Sequence, residues 1–142
     1  MNELEITALL ADRQPPLTPK KAYNGELTEE IDSLSAPEIV KAGLHLLNDD
    51  LESAHVIAQA MEGDSSADYW HAIVHRREGD YGNARYWFAR VGPHPVLTET
   101  YGDALGADRF VESCRAARYR SDPALEAQQM KEMLRLLEFV KG

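Results

Sequence analysis

The stretches Lys41–Met61 (KAGLHLLNDDLESAHVIAQAM) and His71–Val91 (HAIVHRREGDYGNARYWFARV) align without a gap, and this alignment decides the fold. At a constant offset of 30, Ala42 meets Ala72, His45 meets His75, Asp50 meets Asp80 and Ala54 meets Ala84. A further step of 30 reaches Gly102 and Cys114, again small and again 12 apart, beside a segment containing Phe110, Val111 and Ala117. That third copy is degenerate, because Arg118 stands where Ala58 and Phe88 stood. Self-similarity at such a period indicates stacked supersecondary units. Within the second copy, Tyr81, Ala84, Phe88 and Val91 recur at i, i+3, i+7 and i+10, the stripe of an amphipathic helix. Small side chains let antiparallel helices approach closely, and larger apolar groups then fill the seam. Ala84 is therefore expected at the close crossing. Trp87 should be buried beside Ala84 and Val91, and Tyr86, about 100° away around the helix, should turn outward.

The run Glu78-Gly79-Asp80-Tyr81-Gly82-Asn83-Ala84, with Phe88 four residues on and Pro95 beyond, resembles the turn and second helix of the tetratricopeptide repeat. Ala72 matches the small residue of that repeat's first helix. His71 and His75 depart from it, standing where the family has Leu and an aromatic. The period of 30 is also shorter than the family's roughly 34, and the shortening is expected in the connection Glu62 to Asp64. The resemblance covers residues 36 to 121. It implies an all-α superhelix of about three helical hairpins and a concave surface bearing Ser66, Tyr69, Ile73, Arg76 and Arg77. On that surface a protein or peptide partner would dock. The run Tyr69–Glu78 through Tyr86–Pro95 also resembles the signature of a family of uncharacterised proteins, which implies no activity.

The flanks complete the organisation. Residues 1–34 hold a short apolar stretch, Leu4 to Leu10, then Pro15, Pro16, Pro19, Asn24 and Gly25. Proline fixes φ and lacks a donor, so this tract reads as an N-terminal arm or partly ordered leader. Residues 35–142 read as the helical-repeat domain, opening near Pro37 with a helix to about Asn48. Asp122 and Pro123 supply an N-cap and first-turn proline for a capping helix over 123–141. Its stripe of Met130, Met133, Leu134, Leu137 and Val140 would close the exposed end of the array, with Gln128, Gln129, Lys131, Glu132, Arg135 and Glu138 largely on other faces.

Composition narrows the function classes. The chain has 142 residues, 44% hydrophobic, which suits one globular domain. It has no apolar run approaching the roughly 18 needed to span a membrane. Glu3 and Glu5 precede the first basic residue, Arg13, opposite to a secretory leader. The protein is thus expected to be soluble and cytoplasmic. Cys114 is the single cysteine, which excludes an internal disulfide and a cysteine zinc site. The net charge of −9 opposes binding to nucleic acid phosphates. Yet residues 69–94 hold four Arg against Glu78 and Asp80, with three of the five His and both Trp, a basic island in an acidic chain.

The candidate chemistry concentrates in that island. His71 and His75 share a helix face at i, i+4 and could bind a metal, but the metalloprotease motif needs Glu where Ala72 stands. A third ligand would have to come from His45, Glu78 or His94. The preferred reading is structural histidines, so no metal and no cofactor are assigned. Arg76, Arg77, Arg85 and Arg90 stand among Tyr69, Trp70, Tyr86 and Trp87, a composition that grips carboxylates or phosphates. The partner-binding residues are accordingly Tyr69, His71, His75, Arg76, Arg77, Arg90 and His94, with an acidic protein or peptide as candidate partner. A small-molecule or metal-assisted site built from His71, His75, Arg90 and His94 is the alternative. No phosphate loop, nucleophile elbow or Cys/His pair is present, and no catalytic residue is assigned.

Overall fold

A computed structural model describes residues 1–118 and 120–142. Among the described residues it contains nine helices and no strand: α1 (Glu3–Ala11), α2 (Gly25–Asp32), α3 (Glu38–Leu47), α4 (Leu51–Ala60), α5 (Ser65–Glu78), α6 (Tyr81–Val91), α7 (Pro95–Tyr101), α8 (Ala104–Ala116) and α9 (Pro123–Lys141). Among the described residues, no helix is long and apolar enough to cross a membrane.

Two turns 30 residues apart share one geometry. The chain leaves α3 through Asp49 at φ 59° and α5 through Gly79 at φ 85°, the left-handed region that both turns require. Asp50 N–H donates to His45 O and Asp80 N–H to His75 O, each at 2.9 Å. The same two aspartates then cap α4 and α6 by accepting from Ser53 N and Asn83 N. The third copy leaves this frame. Gly102 was expected within a first helix but ends α7 at φ 84°, and Asp103 starts α8 where an offset of 30 would place mid-helix residues.

The N-terminal segment is a correction. Residues 1–34 carry two helices and bury Ile6, Leu10, Leu17, Leu27 and Ile31 in the common core. Asn2 and Glu5 form a capping box for α1, a signal strong enough to start a short helix once its apolar face is covered. The proline tract is non-helical, as its composition requires, but it is tied down. Tyr23 N donates to Asn48 O at 2.8 Å, and Asn48 Nδ2 donates to Asn24 O at 2.9 Å.

Helix α9 starts at the expected cap, Asp122, yet it packs on α3 and α7 and reaches α5 with polar side chains. It runs across the first helices of the hairpins and covers the face expected to be concave and open. Gln129 and Glu132, expected on wet faces, are buried there with Met133, Leu136 and Leu137. The helices approach closely at Gly43 of α3, where Trp70 of α5 and Leu137 of α9 converge. Ala84 is fully buried, Trp87 is 8% exposed and Tyr86 is 53% exposed, the orientation that helical spacing requires.

Candidate functional site

The expected basic surface does not form, because its two central cations point inward. Arg76 donates to Glu132 Oε1 at 2.8 Å and to Gln129 Oε1 at 3.3 Å, with its guanidinium carbon 4.8 Å from the Phe110 ring centre. Burial disfavours this charge, but the Glu132 carboxylate outweighs it and holds the arginine pKa above its ordinary value. Tyr69 hydroxyl donates to the other Glu132 oxygen at 2.8 Å, and burial together with that carboxylate pushes its pKa up. Arg77 donates to Asp49 Oδ1 at 2.6 Å, to Leu46 O at 2.6 Å and to Pro16 O at 3.0 Å. Arg13 completes the clasp, donating to Asp49 Oδ2 at 2.8 Å and to Leu47 O at 3.0 Å. These pairs hold α9 and the N-terminal segment in place and leave Arg76 and Arg77 no free charge for a ligand. Tyr69, Ile73, Arg76 and Arg77 are therefore corrected from a partner-binding surface to the interior, and Ser66 is half-buried.

The other island residues separate. Arg90 lies on the surface, bonded to Tyr86 hydroxyl at 2.9 Å and 5.0 Å above Trp87. Arg85 pairs with Glu112 at 3.0 Å. His94 caps α7: Nδ1 accepts from Val96 N at 3.1 Å, so Nε2 carries the proton and donates to Ser66 Oγ at 2.9 Å. Burial lowers its pKa and keeps it in that neutral form. Its ring faces Tyr69 and Phe139, so it stands apart from His71 and His75.

His71 and His75 do meet, stacked at 4.8 Å between centroids, and a third imidazole joins them. That third ring is His55 of α4, at 4.7 Å from His71 and 5.4 Å from His75. None of the candidates named from sequence fills this role: His45 bonds Asp32, His94 caps α7 and Glu78 binds His75 instead. A reflection about Gly63 was the available signal, since residues 55 and 71 are equidistant from it in an antiparallel pair. His71 lies against Trp87 at 3.9 Å and 17° between planes. Burial, and then the neighbouring His75 and His55, lower its pKa to about 4.

A groove of about 850 Å³ runs along the outer side of α9. Met130, Leu134 and Ala127 provide apolar surface there, with Lys131, Arg135, Glu138 and Glu99 of α7 around them. Arg13 and Gln14 of the N-terminal segment also contribute to its wall. Arg135 is paired with Glu99 at 2.8 Å, so the groove is of mixed charge and has no acidic preference.

The described residues form an all-α domain. No protein-family model, curated protein or solved structure matches it.

Proposed function

We propose that this chain is a tetratricopeptide-like helical scaffold of the cytoplasm that binds a protein or peptide segment in the groove along α9. The observation that carries the reading is the groove itself, with Met130 and Leu134 framed by charges of both signs. Pockets that combine apolar area with a few placed polar groups are the usual sites of recognition. Two hairpin turns of the same geometry 30 residues apart support the superhelical part of the reading. Because α9 covers the inner face, recognition moves to the opposite side of that helix. The partner suited to it is an amphipathic segment with an apolar anchor and mixed charges. The net charge of −9 sets nucleic acid apart from this reading.

The test is selection of displayed peptides on the whole chain, followed by binding to Leu134→Glu and to Val56→Glu on the exposed face of α4. Loss of one buried apolar anchor should weaken the selected peptides about 10- to 100-fold in Leu134→Glu. Val56→Glu should bind like the parent. Equal binding by parent and Leu134→Glu would exclude the groove.

A further inference from the structure

The histidine cluster lies away from the groove and has chemistry of its own. His71 and His75 stand one turn apart on α5, and the tight packing of α4 on α5 through the buried Ala54 and Ala58 brings His55 over them. One ring nitrogen from each histidine lies within 4.8 Å of the other two. Tetrahedral zinc with N ligands at about 2.0–2.1 Å sets those nitrogens about 3.3 Å apart. The three imidazoles would have to close that difference by rotating about their side-chain bonds.

Two further observations point to a cation. His71 Nδ1 is buried without a hydrogen-bond partner among the described residues, on a side chain only 2% exposed. An unpaired buried polar atom is costly, and a ligand that takes its lone pair would remove that cost. His75 Nδ1 donates to Glu78 Oε1 at 2.5 Å, which leaves Nε2 as the free lone pair. A carboxylate holding the second nitrogen of an imidazole is the arrangement that orients metal-ligating histidines. Asp80 lies close to the same pair and adds negative charge. Three aromatic packing residues would need neither the unpaired nitrogen nor the orienting carboxylate.

We propose that His55, His71 and His75 form a zinc site with Glu78 as the residue that orients His75. Imidazole donors select zinc over magnesium or calcium, and three protein ligands leave a fourth position for water or another donor. Binding would clamp α4 to α5 on the side of the molecule opposite in role to the peptide groove.

The experiment uses the full chain without added histidines, freed of metal by chelator and titrated with zinc chloride by calorimetry. One zinc per chain is expected, no response to magnesium, and visible bands of four-coordinate cobalt when cobalt replaces zinc. His55 is half-buried, so His55→Ala keeps the fold, checked by circular dichroism, while abolishing stoichiometric binding. Glu78→Gln should retain one zinc with affinity weakened about 10- to 100-fold. Absence of stoichiometric zinc, or zinc affinity unchanged in His55→Ala, would overturn the proposal.

Discussion

Replacing Gly43 by alanine tests the packing at the centre of the molecule, because two effects of known size oppose each other there. Alanine within a helix gains about 0.5–1 kcal/mol over glycine from its lower backbone entropy. A methyl at position 43, however, would stand 2.6 Å from Trp70 Cζ2, 2.9 Å from Cη2 and 3.1 Å from Leu137 Cδ1. Carbon atoms prefer about 3.5–4.0 Å, so the ring must move by close to an ångström. Trp70 has no room to do so: it is fully buried, and its Nε1 donates to Ile39 O at 3.1 Å. Overpacking of this kind costs about 1–3 kcal/mol, and the rigid indole places it in the upper part of that range. The net loss is then about 1–2 kcal/mol, a fall in Tm of roughly 3–8 °C for a domain of this size. Gly82→Ala is the matched control, since no atom lies within 4 Å of the added methyl and only the helical gain remains. Thermal and denaturant unfolding should move in opposite directions for the two variants. A Gly43→Ala protein as stable as the parent would refute the close approach of α3, α5 and α9.

Glu132→Ala leaves the Arg76 charge and the Tyr69 hydroxyl buried without their shared partner, so denaturant unfolding should show a loss of about 3–5 kcal/mol. Glu112→Ala, which breaks only the exposed pairs with Arg85 and Arg115, should leave the midpoint nearly unchanged. Acid should destabilise the fold: His71 and His94 titrate below the unfolded histidine pKa of 6.5, so the unfolded chain binds protons first as pH falls. Their contribution is complete above pH 6.5 and disappears down through about pH 4 for His71, visible as a falling Tm that His94→Gln makes shallower.

Local chemistry was legible where a few neighbouring residues decide the outcome. Asp122 caps α9 as its place before Pro123 implied, and Asp50 and Asp80, aligned at an offset of 30, prove to be equivalent caps of α4 and α6. Trp87 and Tyr86 were separable because helical geometry is periodic. The fate of Arg76 and Arg77 was not legible, since their carboxylates are 56 and 28 residues distant and only tertiary packing brings them together. A surface arginine and a buried, paired one look alike in sequence. The same holds for α1, where Leu4 is 73% exposed and Leu9 also faces outward, so the apolar stretch lacks a clean stripe. His55 has no partner at i+3 or i+4, and it becomes a candidate only when α4 is folded back on α5. Ala42 was the small residue expected at a close contact and is fully buried, but nothing in the repeat alignment marked its neighbour Gly43, against which Trp70 and Leu137 pack.

The link between Glu132 near one end of the chain and Arg76 in its middle changes how the molecule should come apart. An open stack of hairpins can lose units one at a time from either end, because each contacts only its neighbours. Here α9 reaches back across the inner helices and supplies the countercharge for α5, while Pro16 O accepts from Arg77 and Arg13 holds the Asp49 carboxylate that Arg77 also binds. Fraying at the C-terminus therefore strands the Arg76 charge in the centre, and fraying at the N-terminus takes the Pro16 acceptor from Arg77 and Arg13 from Asp49. Unfolding should proceed in one cooperative step, with amides of α5 exchanging hydrogen only when the whole molecule opens.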